Sequence, residues 1–160
     1  MKGPAIYLAQ FMEDRPPFNS FKSACEQMAL YGYKGVQIPA WDKRCIDLNK
    51  LAESKTYADE IKGVAKDAGV EITELSTHLQ GQLIATHPAY DQMYDGFAPA
   101  EVHNNPVARS KWATEQLILS AKASYNLGIH SHVSFSGSLL WPYMYPWPQR
   151  PPGLIETGFK

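Results

Sequence analysis

The hydrophobic and polar residues form two kinds of pattern, which alternate along the chain. Stretches with apolar residues every three or four positions are followed by a glycine and then at once by a short β-rich apolar run. This joint occurs at residues 29–38, 65–72 and 125–133. Glycine ends a helix at low cost because it tolerates positive φ, so the chain can turn directly into a strand. With an extended run near the amino end, the pattern predicts the order β-α-β-α-β-α-β.

The predicted strands are residues 5–11, 35–39, 71–77 and 130–136. The predicted helices are one that begins after Asn19 or Ser20, a short piece at 47–53, and two longer helices at about 57–68 and 108–127. Between the third strand and the last helix lies an excursion, residues 78–107, without hydrophobic periodicity. Connections of this length tend to be functional or disordered.

The alternation of strands and helices predicts an α/β fold with parallel strands and right-handed crossovers. An open flavodoxin-like sheet and a (β/α) barrel both fit, but residues 12–17 contain no glycine-rich phosphate loop, which favours the barrel. A closed barrel needs roughly 250 residues. The chain has 160 residues. We therefore expect residues 1–140 to form the N-terminal half of a TIM barrel, and the Pro-, Trp- and Tyr-rich residues 141–160 to form a loop or tail.

The amino-acid composition limits the binding partners and the cellular compartment that we expect for this chain. Lys and Arg (15) nearly balance Asp and Glu (16), so no basic surface for nucleic acid or an anionic membrane is expected. No apolar run approaches the ~20 residues that span a bilayer, and no signal peptide is recognisable. Cys25 and Cys45 lack metal-type spacing, which predicts a reduced, cytoplasmic protein.

The histidines can be sorted by the ends of the predicted strands, since parallel α/β folds place their working residues at the carboxyl ends. His78 directly follows the third strand and is a candidate. His130 and His132 open the fourth strand at the opposite end, so a structural role is expected although their spacing could chelate a metal. Glu74 lies about 13 Å along the strand from His78, too far to share an ion. We expect it to be a buried, paired carboxylate of the barrel wall.

The excursion and the tail are rich in aromatic residues. They are Tyr90, Tyr94 and Phe97, followed by Trp141, Tyr143, Tyr145 and Trp147. Such rings suit the apolar faces of sugars, and they equally suit a hydrophobic cover or an interface. The acidic and histidine side chains of the excursion have no recognised metal spacing, so a solvated loop is expected there. These are His87, Asp91, Asp95, Glu101 and His103.

Several segments carry a resemblance to a known family. They are GYKGVQIP at 32–39, AGVEI at 68–72 and STHLQGQL at 76–83, with PVAR at 106–109 and FSGS at 135–138 fitting the same picture. The chain resembles the sugar-phosphate isomerase/epimerase family of the xylose-isomerase-like barrel superfamily. The resemblance implies that a Mn²⁺, Mg²⁺ or Zn²⁺ ion polarises the sugar oxygens while a carboxylate moves a proton. The family's metal ligands come from strands 5 to 8, beyond the four predicted here.

The apurinic endonucleases of the same superfamily place zinc-binding histidines after strands 3 and 4. His78 matches the first position, but Phe135 stands at the second and cannot bind zinc. The net charge of the chain is also close to zero, which does not predict the basic surface expected of a DNA-binding protein. The isomerase branch is therefore favoured.

The resemblance thus implies the N-terminal half of a metal-dependent sugar or sugar-phosphate isomerase or epimerase, inactive alone and with no metal bound by this chain alone. In this interpretation the substrate side of the barrel mouth is lined by Trp41, His78, Gln80, Gln82 and Ser136. The expected association is a homodimer or pairing with the missing half. Two alternatives stay open: a half-barrel binding or scaffold protein that closes the ring with a second copy, and a metal half site of His78 with the loop histidines.

Overall fold

The sheet is the organising element of the molecule. The computed structural model describes residues 3–140 together with Gly153 and Thr157. It shows an α/β protein with a four-stranded, all-parallel sheet in the order β1-β2-β3-β4, flanked by helices. The strands are β1 (Ala5–Tyr7), β2 (Gly35–Pro39), β3 (Glu71–Thr77) and β4 (His132–Ser134). The predicted α/β class with parallel strands is confirmed.

Small polar side chains cap the first three helices of the described part of the chain. The helices are α1 (Phe21–Leu30), α2 (Leu48–Glu53), α3 (Lys55–Asp67), α4 (His78–Gln82), α5 (Asp91–Tyr94) and α6 (Pro106–Leu127). The Ser20, Asp47 and Ser54 side chains each accept a hydrogen bond from a backbone N–H three residues later. Such a bond satisfies one of the unpaired N–H groups of the first turn. The caps therefore fix the starts of α1, α2 and α3.

Two of the four strands have the predicted bounds and two are shorter. Strands β2 and β3 match the prediction, whereas β1 ends at Tyr7 and β4 covers only residues 132–134. After Tyr7 the chain tightens into a 3₁₀ turn, in which the Phe11 N–H donates to the Leu8 carbonyl. After β4 the Gly137 N–H donates to the Gly81 carbonyl instead of continuing a strand. Both corrections come from hydrogen bonds that hydrophobic periodicity does not reveal.

The excursion is more structured than its sequence suggests. It contains α4, α5 and three 3₁₀ turns, Pro88–Tyr90, Asp95–Phe97 and Ala100–Val102.

At the three predicted joints Gly32, Gly69 and Gly128 have φ angles of 89°, 84° and 71°. These values lie in the left-handed region that glycine adopts without strain. The prediction that glycine ends each helix is therefore confirmed.

The described residues form two compact units. The first contains residues 3–77 and 117–133, and the second contains residues 78–116 and 134–140. One face of the sheet in the first unit supplies fully buried side chains to the main core, including Val36, Ile38 and Leu75. The second unit has a smaller core around Leu83, Tyr94 and Ala113.

Two further expectations concern cysteines and membranes. Cys25 and Cys45 are both free thiols, buried in the main core. Among the described residues no helix is both long enough and apolar enough to pass through a lipid bilayer. Most of the predicted tail, residues 141–160, lies outside the described residues, so the expected boundary at residue 140 stays a prediction.

Candidate functional site

A row of polar side chains crosses three neighbouring strands of the first unit. Tyr7 of β1 is in register with Gln37 of β2, and Gln37 is in register with Glu74 of β3. Successive side chains of a strand point to opposite faces, so this row lies opposite the buried Ile38 and Leu75. Adjacent strands are about 4.8 Å apart, so the row spans about 10 Å. We call Tyr7, Gln37 and Glu74 the polar row.

A direct hydrogen bond joins two members of the polar row, Gln37 and Glu74. The Gln37 Nε2 donates a hydrogen bond of 2.6 Å to the Glu74 Oε1. The expected pairing of Glu74 is therefore present, with a neutral amide as its partner. Glu74 is half-buried and not buried as expected. Because the amide donates without carrying charge, Glu74 keeps its acceptor capacity for hydroxyl groups of a ligand.

At one end of the polar row, the ring of Tyr7 contacts the ring of Trp41, which follows β2. Their ring centroids are 6.4 Å apart and the ring planes meet at 75°, an edge-to-face contact. Burial raises the pKa of the Tyr7 phenol, so it is a neutral hydroxyl donor at physiological pH. Trp41, one of the sequence-predicted site residues, therefore stands beside the polar row.

The loop that follows Trp41 contains an ion pair. The Arg44 Nε and Nη2 donate to the two carboxylate oxygens of Asp42, at 2.9 and 2.6 Å. Burial raises the pKa of Asp42, but the hydrogen bonds from Arg44 outweigh it and hold that pKa below its ordinary value. The pair thus joins two residues of the loop that follows Trp41.

The other predicted site residues belong to the second unit. His78 is half-buried in α4, and its ring meets the Phe135 ring edge-to-face with centroids 4.9 Å apart. Gln80 is only 2% exposed and Gln82 is also buried, whereas Ser136 is exposed. The Gln80 Oε1 has no donor among the described residues. Their role as substrate ligands stays a prediction.

Segment 134–138 lies directly against α4 in the second unit. The Gly137 N–H donates to the Gly81 carbonyl at 2.9 Å, and the Ser138 hydroxyl donates to the Gln82 carbonyl at 2.9 Å. A Cβ on Gly81 would lie within 3.0 Å of backbone atoms of Phe135. Only glycine therefore permits this approach, which brings the predicted residues His78 and Ser136 onto neighbouring segments.

The histidine of β4, His132, has structural contacts. The His132 Nε2 lies 2.9 Å from the Thr77 Oγ1, and its Nδ1 lies 3.3 Å from the Ser124 Oγ. These hydrogen bonds tie β4 to β3 and to α6. The contacts agree with the expected structural role of His132.

The excursion differs from the expected solvated loop. The Arg109 side chain of α6 is only 1% exposed and forms ion pairs with Asp91 at 2.5 Å and Asp95 at 2.6 Å. The Asn104 N–H and the Arg109 guanidinium are among the donors that lower the pKa of Asp95, although burial raises it. The expectation was wrong for Asp91 and Asp95, because a buried arginine needs charged partners.

The polar row does not fit a divalent ion by itself. Mg²⁺ and Mn²⁺ favour several carboxylate, carbonyl or water oxygens, and the row offers one carboxylate, one amide and one phenol. Across the described part of the chain, no cluster of three or more His, Cys, Asp or Glu side chains could hold a metal. The polar row alone therefore lacks the ligand set of a divalent-ion site.

The fold and the polar row define a parallel α/β protein with a polar sheet face opposite its helices. Comparison with known proteins gives no closer identity: no protein-family model matches the sequence, and no curated protein gives a significant match.

Proposed function

We propose that this chain supplies one wall of a sugar-binding cavity in a (β/α) barrel of the metal-dependent isomerase/epimerase type. The observation that supports this proposal is the polar row, which presents a phenol, an amide and a carboxylate on the sheet face opposite the helices. Inward-facing residues of a barrel come from this face. In this proposal the described strands are the N-terminal half of the ring.

The chemistry of the row suits a polyhydroxylated ligand. Each sugar hydroxyl both donates and accepts, so it needs acceptors such as Glu74 and donors such as Tyr7 and Gln37. The Trp41 ring adds an apolar surface for a sugar C–H face. The row would orient the substrate, while the metal and the proton-transfer carboxylate would come from strands that complete the ring.

Binding can be tested without turnover. Titration with D-xylose or D-fructose should shift the side-chain amide resonance of Gln37 and the indole resonance of Trp41 in proton–nitrogen correlation spectra. Glu74→Gln keeps the side-chain volume but removes the charged acceptor, and it should weaken binding about tenfold. Glu60→Gln, at an exposed position of α3, is the matched control. Resonances that do not move, or equal effects of the two variants, would contradict the proposal.

A second candidate is a half-barrel that closes its ring with another copy of itself. The sheet order leaves β1 and β4 as the outer strands, both three residues long, in a sheet whose strands are all parallel. Two copies related by a two-fold axis could pair β4 of one with β1 of the other, twice, and so cover both edges. Light scattering tests this directly: the candidate requires a dimer, and a stable monomer counts against it.

A further inference from the structure

The polar row carries a negative charge that its own members do not balance. Glu74 is half-buried, and its one side-chain hydrogen bond within the described residues comes from the neutral Gln37 amide. None of the ion pairs among the described residues includes Glu74. Because partial burial removes water from a carboxylate, a positively charged partner from outside these residues would stabilise it.

The side chains beside Glu74 on the same sheet face are neutral. Burial raises the pKa of the Tyr7 phenol, so Tyr7 carries no charge at physiological pH. Gln37 is an uncharged amide, and it lies between Tyr7 and Glu74 in the register of the strands. Ser76 comes two residues after Glu74 in β3 and therefore lies on the same face. These neighbours supply no positive charge.

The ion-paired side chains next to the row do not change this balance. Arg44 donates to Asp42 at 2.6 Å and to Asp14 at 3.0 Å, so two carboxylates already compensate its guanidinium. One positive and two negative side chains leave this set with a charge of −1. Together with Glu74, the set favours a cationic ligand over an anionic one.

A ligand that completes the row must match both of its ends. At the Glu74 end it needs a cationic donor, and an ammonium group has three N–H donors and no acceptor. At the other end, the rings of Tyr7 and Trp41 offer an apolar surface for a C–H face. Between them, Gln37 uses its amide nitrogen to donate to Glu74 and keeps its carbonyl oxygen as an acceptor for a hydroxyl group. An amino sugar combines these three features in one molecule.

We propose that Glu74 is the specificity-determining residue of the polar row and that it selects an amino sugar by binding its ammonium group. This specificity rests on the function proposed for the row, and it names the class of sugar that the row takes. Sugar phosphates and sugar acids are disfavoured at this end of the row, because the carboxylate repels their negative charge.

Three sugars that differ at one substituent separate charge from shape. D-glucosamine carries an ammonium group at about pH 6, D-glucose has a hydroxyl group at the same carbon, and N-acetyl-D-glucosamine has a neutral amide there. The indole resonance of Trp41 follows their binding to the whole chain in proton–nitrogen correlation spectra. We expect glucosamine to bind about tenfold more tightly than either neutral sugar, and we expect added salt to reduce this ratio.

Variants test whether Glu74 causes the preference. Glu74→Gln should remove the preference for glucosamine over glucose, whereas Glu60→Gln, at an exposed position of α3, should keep it. Gln37→Lys places a cation opposite Glu74 in the strand register and should also remove the preference. Gln37→Met is its matched control, since methionine has a similar length and no charge.

Three results would contradict the amino-sugar specificity. They are equal affinities for the three sugars, a preference that persists in Glu74→Gln, and an equal loss of preference in Glu60→Gln. If the neutral sugars bind and glucosamine has no advantage, only this specificity is rejected. If no sugar shifts the Trp41 indole or the Gln37 amide, the function proposed for the polar row fails as well.

Discussion

The close approach of segment 134–138 to α4 gives a prediction in which two physical effects have opposite signs. Gly81 lies inside α4, so helix propensity alone says that Gly81→Ala should stabilise the protein by about 1 kcal/mol. The atoms around Gly81 predict the opposite effect, a loss of stability. The new Cβ would lie 2.9 Å from the Phe135 nitrogen and closer still to the Phe135 carbonyl oxygen. Neither atom can move away by a rotamer change, because both belong to the backbone.

The magnitude follows from the two ways in which the structure can respond. If the segment moves away, it loses the Gly137–Gly81 and Ser138–Gln82 hydrogen bonds, together worth about 2 kcal/mol, and about 1 kcal/mol of helix propensity is regained. If the segment stays, overpacking costs about 1–3 kcal/mol. We therefore expect Gly81→Ala to destabilise the fold by about 1–3 kcal/mol.

Urea unfolding followed by circular dichroism measures this change, and hydrogen exchange at the Gly137 and Ser138 amides locates it. The matched control is Gly63→Ala, also inside a helix, where an added Cβ would meet nothing within 4 Å. That variant should gain about 0.8–1.0 kcal/mol. The reasoning would be refuted if both variants were equally stable and the two amides kept their protection.

Three other expectations follow from burial and charge. Leu75→Ala removes a fully buried core side chain and should cost about 2–5 kcal/mol in urea unfolding. Because the pKa of Asp42 is lowered in the folded state, its pair with Arg44 stabilises at neutral pH and is lost as pH falls through that lowered pKa. The stability gap between wild type and Asp42→Asn should therefore shrink below about pH 4, and a constant gap would contradict this. Burial raises the pKa of Cys25 to about 12 and also raises that of Cys45, so iodoacetamide at pH 8 should label both only after unfolding.

The best-predicted elements are those whose ends are marked locally. Strands β2 and β3 each lie between a helix-ending glycine and a polar or proline boundary, and both have the predicted bounds. The ends of β1 and β4 are set by hydrogen bonds to a following turn and to α4. Apolar residues continue past β1, so periodicity extends that strand too far.

The candidate sites were predictable only in part. Glu74 was predicted as a paired carboxylate because it lies too far along β3 from His78 to share an ion with it. Its partner Gln37 carries the same signal, a single polar residue within GVQIP, but only the register between strands joins the two. Arg109 was missed as a buried cation. Its signal was its position four residues before the buried Ala113 on the same helix face.

The register itself depends on one extra residue in β3. Val36 pairs with Ile72, but Gln37 pairs with Glu74, so Thr73 has no partner in the ladder. Its hydroxyl donates to the Val36 carbonyl at 3.1 Å and satisfies the backbone at this irregularity. Without the shift Thr73 would stand opposite Gln37, and the Glu74 carboxylate would turn toward the apolar helix-facing core. A single inserted residue thus places a charge on the polar face and Leu75 in the core, and composition alone cannot encode that choice.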